Sequence, residues 1–376
     1  LIGVRDGRNL QQLPESGERR LGVGSHGLSL RARGSARRMP DNAPGTTVPT
    51  APIRWGILAT GGIAHAFTKD LRTAGLTVTA VGSRRPESAR AFAADHDIPH
   101  AHGSYEELVA DPDVDIVYVA SPHSHHREHA ILALEAGKHV LIEKAVTLDA
   151  DEAIAIRDIA AGRGLLAMEA MWTRYLPHMV RIRELIADGT LGEVRAVIAD
   201  HTQSLPTDPA HRLNALELGG GALLDLGIYP VSFAWDVLGP MTEIRAVGRL
   251  GDTGADTEVA IAAVHAGGAV SSIATSSRAA GPNTAHVVGT KARIDIDRVW
   301  YEPTSFRVTA TDGTVIEEYR SEVDGRGMQF QALAAERLLR EGRTDSDLLP
   351  FAESIAIMHA LDDVRGQLGV TYPKVR

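Results

Sequence analysis

Three residues of this 376-residue chain pair side-chain type with position in a way that suits moving a proton. Lys144 follows the run His139-Val140-Leu141-Ile142-Glu143, which reads as an apolar strand. Open α/β sheets meet their ligands at the carboxyl ends of strands. A lysine desolvated there can have its pKa pulled toward neutrality and serve as an acid or base. A solvated lysine in a strand-to-helix loop is the plain alternative. Asp225 and Tyr229 stand four apart in an expected helix and so share a face. Taken alone, helix capping or half-buried packing accounts for them equally well. Arg212, upstream of Gly219-Gly220-Gly221, is a candidate for the substrate side of a cleft.

A second set of residues suits an anionic ligand. Ala59-Thr60-Gly61-Gly62-Ile63-Ala64 is an imperfect G-x-G-x-x-G/A fingerprint with alanine in the first glycine's place. Thr60, Gly61, Gly62 and Ile63 are therefore candidates to hold a pyrophosphate, because glycines let backbone N–H groups approach it at a helix N-terminus. The alternative is an ordinary glycine-bearing turn, which the strand–turn–helix–strand context disfavours. About 20 residues on, where a carboxylate would hold an adenosine ribose, stand Ser83-Arg84-Arg85. With no carboxylate there and a guanidinium able to grip a 2'-phosphate in bidentate fashion, NADP is expected over NAD, which stays possible. Arg84 is expected to carry more of this preference than Arg85, which precedes Pro86. The alternative is a solvated arginine pair. The loop Ser121-Pro122-His123-Ser124-His125-His126-Arg127-Glu128-His129 is dense in histidine. His125 and His129 could share a helix face, but no matching ligand pair is evident elsewhere, so no metal is expected.

The elements that must position these residues read in two styles. From Ile53, short Val- and Ile-rich runs alternate with amphipathic stretches, the pattern of a doubly wound parallel sheet with crossover helices. Strands are expected at 53–58, 77–81, 115–120, 139–142 and 165–168. Helices are expected at 63–72, 87–95, 105–110, 125–135, 149–162 and 176–187. From Glu193 to Tyr319 residues alternate in twos between Gly, Asp and Asn turns, as in a mostly antiparallel sheet. Helices at 222–238, 329–340 and 351–368 complete the pattern. The fold class is α/β, an N-terminal Rossmann domain followed by an α+β domain with a large, mostly antiparallel sheet. The expected divisions are a flexible tail at 1–51, a nucleotide-binding domain at 52–172, and a substrate and oligomerisation domain at 173–376.

Hydrophobic residues at 44% and charged residues at 23% fit a globular chain. A formal charge of -9 argues against nucleic acid as a partner. No apolar run approaches the roughly 18 residues of a spanning helix, so no membrane is expected. The absence of cysteine excludes disulfides and thiolate chemistry. Behind Arg19-Arg20 the chain is too polar for an export signal, so a cytoplasmic protein is expected. Met39 is a candidate natural start, and omission of residues 1–38 is expected to leave activity and melting temperature unchanged.

Two segments join the fingerprint in an ordered pattern: Ala136-Gly137-Lys138-His139-Val140-Leu141-Ile142-Glu143-Lys144, and Gly219-Gly220-Gly221-Ala222-Leu223-Leu224-Asp225-Leu226-Gly227-Ile228-Tyr229. From Ile53 onward the chain thereby resembles the glucose-fructose oxidoreductase and inositol dehydrogenase (Gfo/Idh/MocA) family. Met168-Glu169-Ala170-Met171-Trp172-Thr173-Arg174 and a tyrosine at 229 resemble its dihydrodiol and pentose dehydrogenase branch. The resemblance implies hydride transfer between a nicotinamide and a secondary alcohol or ketone of a sugar, cyclic polyol or dihydrodiol. Lys144, Asp225 and Tyr229 would handle the proton, and these with Arg212 would meet the substrate. Ser121, Pro122, His123, His126, Glu143, Lys144, Trp172 and Arg174 would line the cofactor, His123 approaching the nicotinamide and His126 supporting its loop. For His126 a satisfied interior histidine, and for Trp172 an interdomain core residue, are the alternatives. The family pattern implies no catalytic metal, and a homo-oligomer formed through the C-terminal sheet is expected. The family's Glu-Lys is usually followed by proline; with Ala145 here, a trans peptide is expected. Two other functions remain open: a redox sensor of the same fold without turnover, and reduction of a conjugated double bond.

Overall fold

The structure, a computed structural model, describes residues 51–373. The readings made for residues 1–50, the expected tail, the Arg19-Arg20 pair and the Met39 start among them, lie outside the described residues.

A six-stranded parallel sheet forms first. Its strands are β1 (Arg54–Leu58), β2 (Thr77–Gly82), β3 (His100–His102), β4 (Ile116–Val119), β5 (His139–Glu143) and β6 (Ala167–Ala170), in the order β3-β2-β1-β4-β5-β6. β4 is buried along its whole length, as helices on both faces demand, which explains its unbroken apolar sequence. The crossovers are α1 (Gly62–Thr73), α2 (Pro86–Asp95), α3 (Tyr105–Ala110), α4 (His126–Glu135) and α5 (Ala150–Arg163). Strand order reverses between β1 and β4, which opens a crevice at their carboxyl ends. Ala59 turns the chain into that crevice with φ of 82°, the left-handed conformation that the fingerprint usually gives to glycine.

After α6 (Pro177–Ala187) comes the eight-stranded sheet, in the order β14-β13-β12-β11-β7-β10-β9-β8. Its strands are β7 (Val194–Thr202), β8 (Met241–Leu250), β9 (Asp256–His265), β10 (Val270–Ser276), β11 (Ala285–Gly289), β12 (Ala292–Ile296), β13 (Phe306–Ala310) and β14 (Val315–Tyr319). All neighbours are antiparallel except β7 and β10. α7 (Ile228–Leu238), α8 (Gln329–Arg340) and α9 (Phe351–Leu368) complete the half. The buried face alternates cleanly along β9 and β10, and one continuous core links Ile57 and Leu141 to Val197 and Ile261. The stretch Leu216–Leu238 is long and apolar enough to cross a membrane, yet 83% of its apolar window is buried in the fold.

Several expectations need correction. β3 was not foreseen, because three residues are too few to show a period. The strand expected at 165–168 lies at Ala167–Ala170, and the helix expected from His125 is preceded by a 3-10 turn at His123–His125. The helix expected from Ala222 opens with a π turn, Leu223–Gly227, before α7. The Lys144–Ala145 peptide, expected trans, is cis.

Candidate active site

The three proton-handling candidates converge. Lys144, at the end of β5, donates from Nζ to the Asp225 carbonyl at 2.9 Å and lies 3.7 Å from Asp225 Oδ1. The same ammonium sits 4.9 Å from the centre of the Tyr229 ring. Trp172 Nε1 donates to the Tyr229 hydroxyl at 3.0 Å, and Arg212 Nη1 donates to Asp225 Oδ1 at 3.0 Å. Asp225 and Tyr229 thus face Lys144 together, although a π turn carries the first of them. Burial alone would lower the lysine's pKa, but Tyr229, Asp225 and Glu143 outweigh it and the pKa is raised. This corrects the expectation of a lysine pulled toward neutrality: its neighbours favour the ammonium form. Burial opposes the charge of Asp225 too, yet Lys144, Arg212 and His123 hold that carboxyl well below its ordinary range.

The glycine run sets the approach of this helix. Gly219 has φ of 77°, and a Cβ there would fall 2.7 Å from His123 Cβ and 2.6 Å from Leu148 Cδ2. At Gly221 a Cβ would meet Asp256 Oδ1 at 2.3 Å. Asp256 in turn accepts the Leu223 N–H at 2.6 Å, which caps the first turn from across the sheet.

The fingerprint passes a different test. Gly61 and Gly62 are exposed, and a Cβ on either would meet nothing within 4 Å. Packing therefore does not demand glycine there, whereas a ligand lying against the N–H groups at the start of α1 would. The open backbone, the crevice and this donor set fit a dinucleotide pyrophosphate. Thr60 and Ile63 flank it, half-buried. Ser83, buried at the end of β2, accepts the Arg85 N–H at 3.3 Å. Arg84 and Arg85 are both exposed, and Arg84 lies near enough to Tyr105 and His129 to lower the pKa of each.

The remaining candidates divide. His123 is wedged with Nδ1 3.3 Å from the Gly219 carbonyl and Nε2 3.1 Å from the Lys144 carbonyl. His126 is fully buried between the carbonyls of Ala145 and Ser121, at 2.9 and 2.8 Å, an interior histidine that ties its loop to β5. Ser121 also meets His129 Nδ1 through its hydroxyl, at 2.9 Å, and Pro122 begins the turn beside it. Glu143 is buried and accepts the Tyr118 hydroxyl; burial raises its pKa. Trp172 is buried and holds Tyr229 in place. Arg174, expected near the dinucleotide, is engaged elsewhere. Its guanidinium bonds Ser232 and the Leu348 carbonyl and pairs with Asp236 and Glu353.

Three cleft residues had escaped notice. His201 on β7 packs edge-on to Tyr229 at 5.0 Å and stacks on Tyr301 at 3.8 Å. Its Nδ1 is buried with no hydrogen-bond partner among the described residues. Arg326 lies 5.4 Å over the Trp172 ring and pairs with Glu302 at 2.8 Å. Its loop is latched to α1 by buried Asp70, which accepts the N–H groups of Arg326 and Met328 at 3.3 and 2.8 Å. An inward histidine on an alternating strand was the one signal in the sequence; nothing local marked Tyr301 or Arg326.

Comparison with known proteins agrees with this geometry. Residues 53–171 match the model of an oxidoreductase family with an NAD-binding Rossmann fold, and residues 179–295 match the GFO/IDH/MocA C-terminal domain. D-xylose 1-dehydrogenase (NADP(+)) of Hypocrea jecorina is 35% identical over 367 residues, 86% of this chain and 94% of that protein. Trans-1,2-dihydrobenzene-1,2-diol dehydrogenase of Mus musculus is 36% identical over 331 residues, 86% of this chain and 98% of the relative. Among solved structures, a 3-ketoreductase from Actinomadura kijaniata in complex with NADP and TDP-benzene superposes with a TM-score of 0.76 at 28% identity. That match covers 85% of this chain and 98% of the other. With both halves matched and over a third of its residues shared with full-length relatives, the chain belongs to the Gfo/Idh/MocA family of nicotinamide-dependent oxidoreductases.

Proposed function

We propose that this oxidoreductase interconverts a secondary alcohol and a ketone on a sugar, cyclic polyol or dihydrodiol, with NADP as preferred cofactor. The observation that carries the reading is Lys144 held at once by Asp225 and against Tyr229. Bound nicotinamide supplies or accepts the hydride. The chain's own task is the proton on the substrate oxygen. Lys144 keeps N–H hydrogens beyond the one given to Asp225, and Tyr229 keeps its own because Trp172 donates to it. Both groups can therefore serve that oxygen. Asp225 holds the ammonium, and Arg212, half-exposed, reaches toward the substrate side. Exclusion of water falls to Tyr229, Tyr301 and Trp172, whose rings strengthen every charge contact in the cleft. Xylose and dihydrodiol dehydrogenases among the relatives support the substrate class.

The test is a panel of sugars, polyols and diols with NADP, followed at the reduced-nicotinamide absorbance. Lys144→Ala is expected to lower turnover about 10² to 10⁴-fold with cofactor affinity nearly intact, and Tyr229→Phe to slow it as well. Binding of NADP with no turnover on any alcohol would return the chain to the sensor or double-bond readings.

The proposal includes residues 173–376 as the substrate and oligomerisation domain, and a cytoplasmic location where NADP is at hand. The outer face of the large sheet exposes Ile198, Val264 and Val270 around a groove of about 440 Å³. A second copy of the chain would cover it, and a monomer in light scattering at micromolar concentration would overturn that part.

A further inference from the structure

On the edge strand of the parallel sheet, two histidines and a carboxylate converge. His100 and His102 are two apart on β3, so their rings leave the same side of the strand. Asp111, the C-cap of α3, faces them. His100 Nδ1 lies 2.7 Å and His102 Nε2 2.8 Å from one oxygen, Asp111 Oδ2. These three atoms all lie within 4.8 Å of one another.

The carboxylate is held in place. Its other oxygen accepts the Asp113 N–H at 2.8 Å, while Lys138 Nζ fixes the Asp111 carbonyl at 2.8 Å. The Asp111 side chain is only 4% exposed, with both rings against one of its oxygens. The rings of His100 and His102 are partly exposed, so each can turn and each has a water-facing nitrogen.

We propose that His100, His102 and Asp111 form a binding site for a divalent transition metal of the zinc class, with water as fourth ligand. Two imidazoles and a carboxylate are ligands that zinc accepts, and its tetrahedral bonds of roughly 2.0–2.1 Å set ligand atoms about 3.3 Å apart. The two N···O contacts must open by about half an ångström to admit it. Each imidazole would ligate through the nitrogen that now faces Asp111, with its ring hydrogen on the other nitrogen. The charge balance is favourable: Asp111, Asp113 and Asp115 stand against Arg54 and Lys138 alone. The other histidine group, His125 with Glu128 and His129, is weaker, since Glu128 is largely exposed and His129 Nδ1 already meets Ser121. A bound ion would pin edge strand β3 to the turn that follows α3.

The experiment titrates ZnCl₂ into the full chain, prepared without a histidine tag and stripped with chelator, and reads calorimetry and melting temperature. Co²⁺ serves as a second probe through its intense four-coordinate visible absorption. One ion per chain and a rise in melting temperature of about 3 °C or more are expected. His100→Gln/His102→Gln should weaken zinc binding at least about 100-fold, more than loss of an outer-shell partner costs. Catalytic turnover should stay at the parent's level. His100→Gln alone, at the more exposed ring, gives the same reading should the double variant fail to fold. No binding by the parent, or one-to-one binding of equal affinity in the variants, would overturn the proposal.

Discussion

Arg84 and Arg85 are adjacent and both exposed, and what separates them is Tyr105. Arg84 stands near enough to the Tyr105 hydroxyl, at the start of α3, to oppose the rise that burial gives its pKa. Arg85 instead forms the N-cap of α2, ahead of Pro86. Arg84→Ala is therefore expected to weaken NADP by about 10- to 100-fold, the worth of a charge-assisted hydrogen bond, while NAD affinity barely moves. Paired titrations of the two cofactors check this. Equal losses would mean that the arginine stacks on adenine and does not read the phosphate. Lys144, Asp225 and Tyr229 were legible in the sequence because one follows a strand and two share a helical spacing, relations that a linear pattern can hold. Arg174 was misplaced because its sequence neighbourhood reveals nearness to Trp172 but not the direction of its side chain. Tyr301 and Arg326 come from loops more than 70 residues beyond Tyr229 that only tertiary packing brings to it.

Among the elements, the turn from Gly219 into the π segment is the most constrained. Left-handed backbone and two sub-contact distances coincide at Gly219. Gly219→Ala is expected to displace the His123 loop and with it the Lys144 carbonyl that His123 touches. The loss should be about 1–3 kcal/mol in stability, with turnover reduced further. Denaturant titration read beside turnover checks both. The parallel sheet was legible almost strand for strand, since burial on both faces writes continuous apolar runs. The π turn was not, because its inserted residue leaves the apolar pattern of 222–238 unbroken. β3 was not either: its pairing with β2 is backbone-mediated, and His-Ala-His carries no strand signature.

Over the described part of the molecule, buried histidines shape the response to acid, five of them most strongly. Burial pushes His123 and His201 down to about 3, and His126, His129 and His178 down to about 4, from an ordinary value near 6.5. Between those limits the unfolded chain binds protons that the folded one refuses, so stability is full above pH 6.5 and falls as pH drops toward 4. Each histidine contributes about 1.4 kcal/mol of loss per pH unit inside its window. Asp256, pushed up to about 6 by burial, and Glu143 and Glu169, also raised by burial, work in the opposite sense and offset part of this loss. Melting temperature measured from pH 8 to pH 4.5 should begin to fall below 6.5, well above the range where exposed carboxylates titrate. A flat profile down to pH 4.5 would show that these rings are hydrated.

The brace around Arg174 limits how this fold can be recombined. Its guanidinium, 3% exposed, leaves the turn at the end of the parallel sheet and is neutralised by Asp236 on α7 and Glu353 on α9. A chimaera whose junction falls between Arg174 and α7, and whose second part carries neither acid, would bury a cation without its counterions. Such an orphaned charge costs about 3–5 kcal/mol, a large part of what holds an ordinary domain folded. Exchange of cofactor preference between relatives is thus better sought by grafting the short Ser83-Arg84-Arg85 segment, or by a seam placed ahead of Arg174, because recombination works only when Arg174 and its two acids travel together.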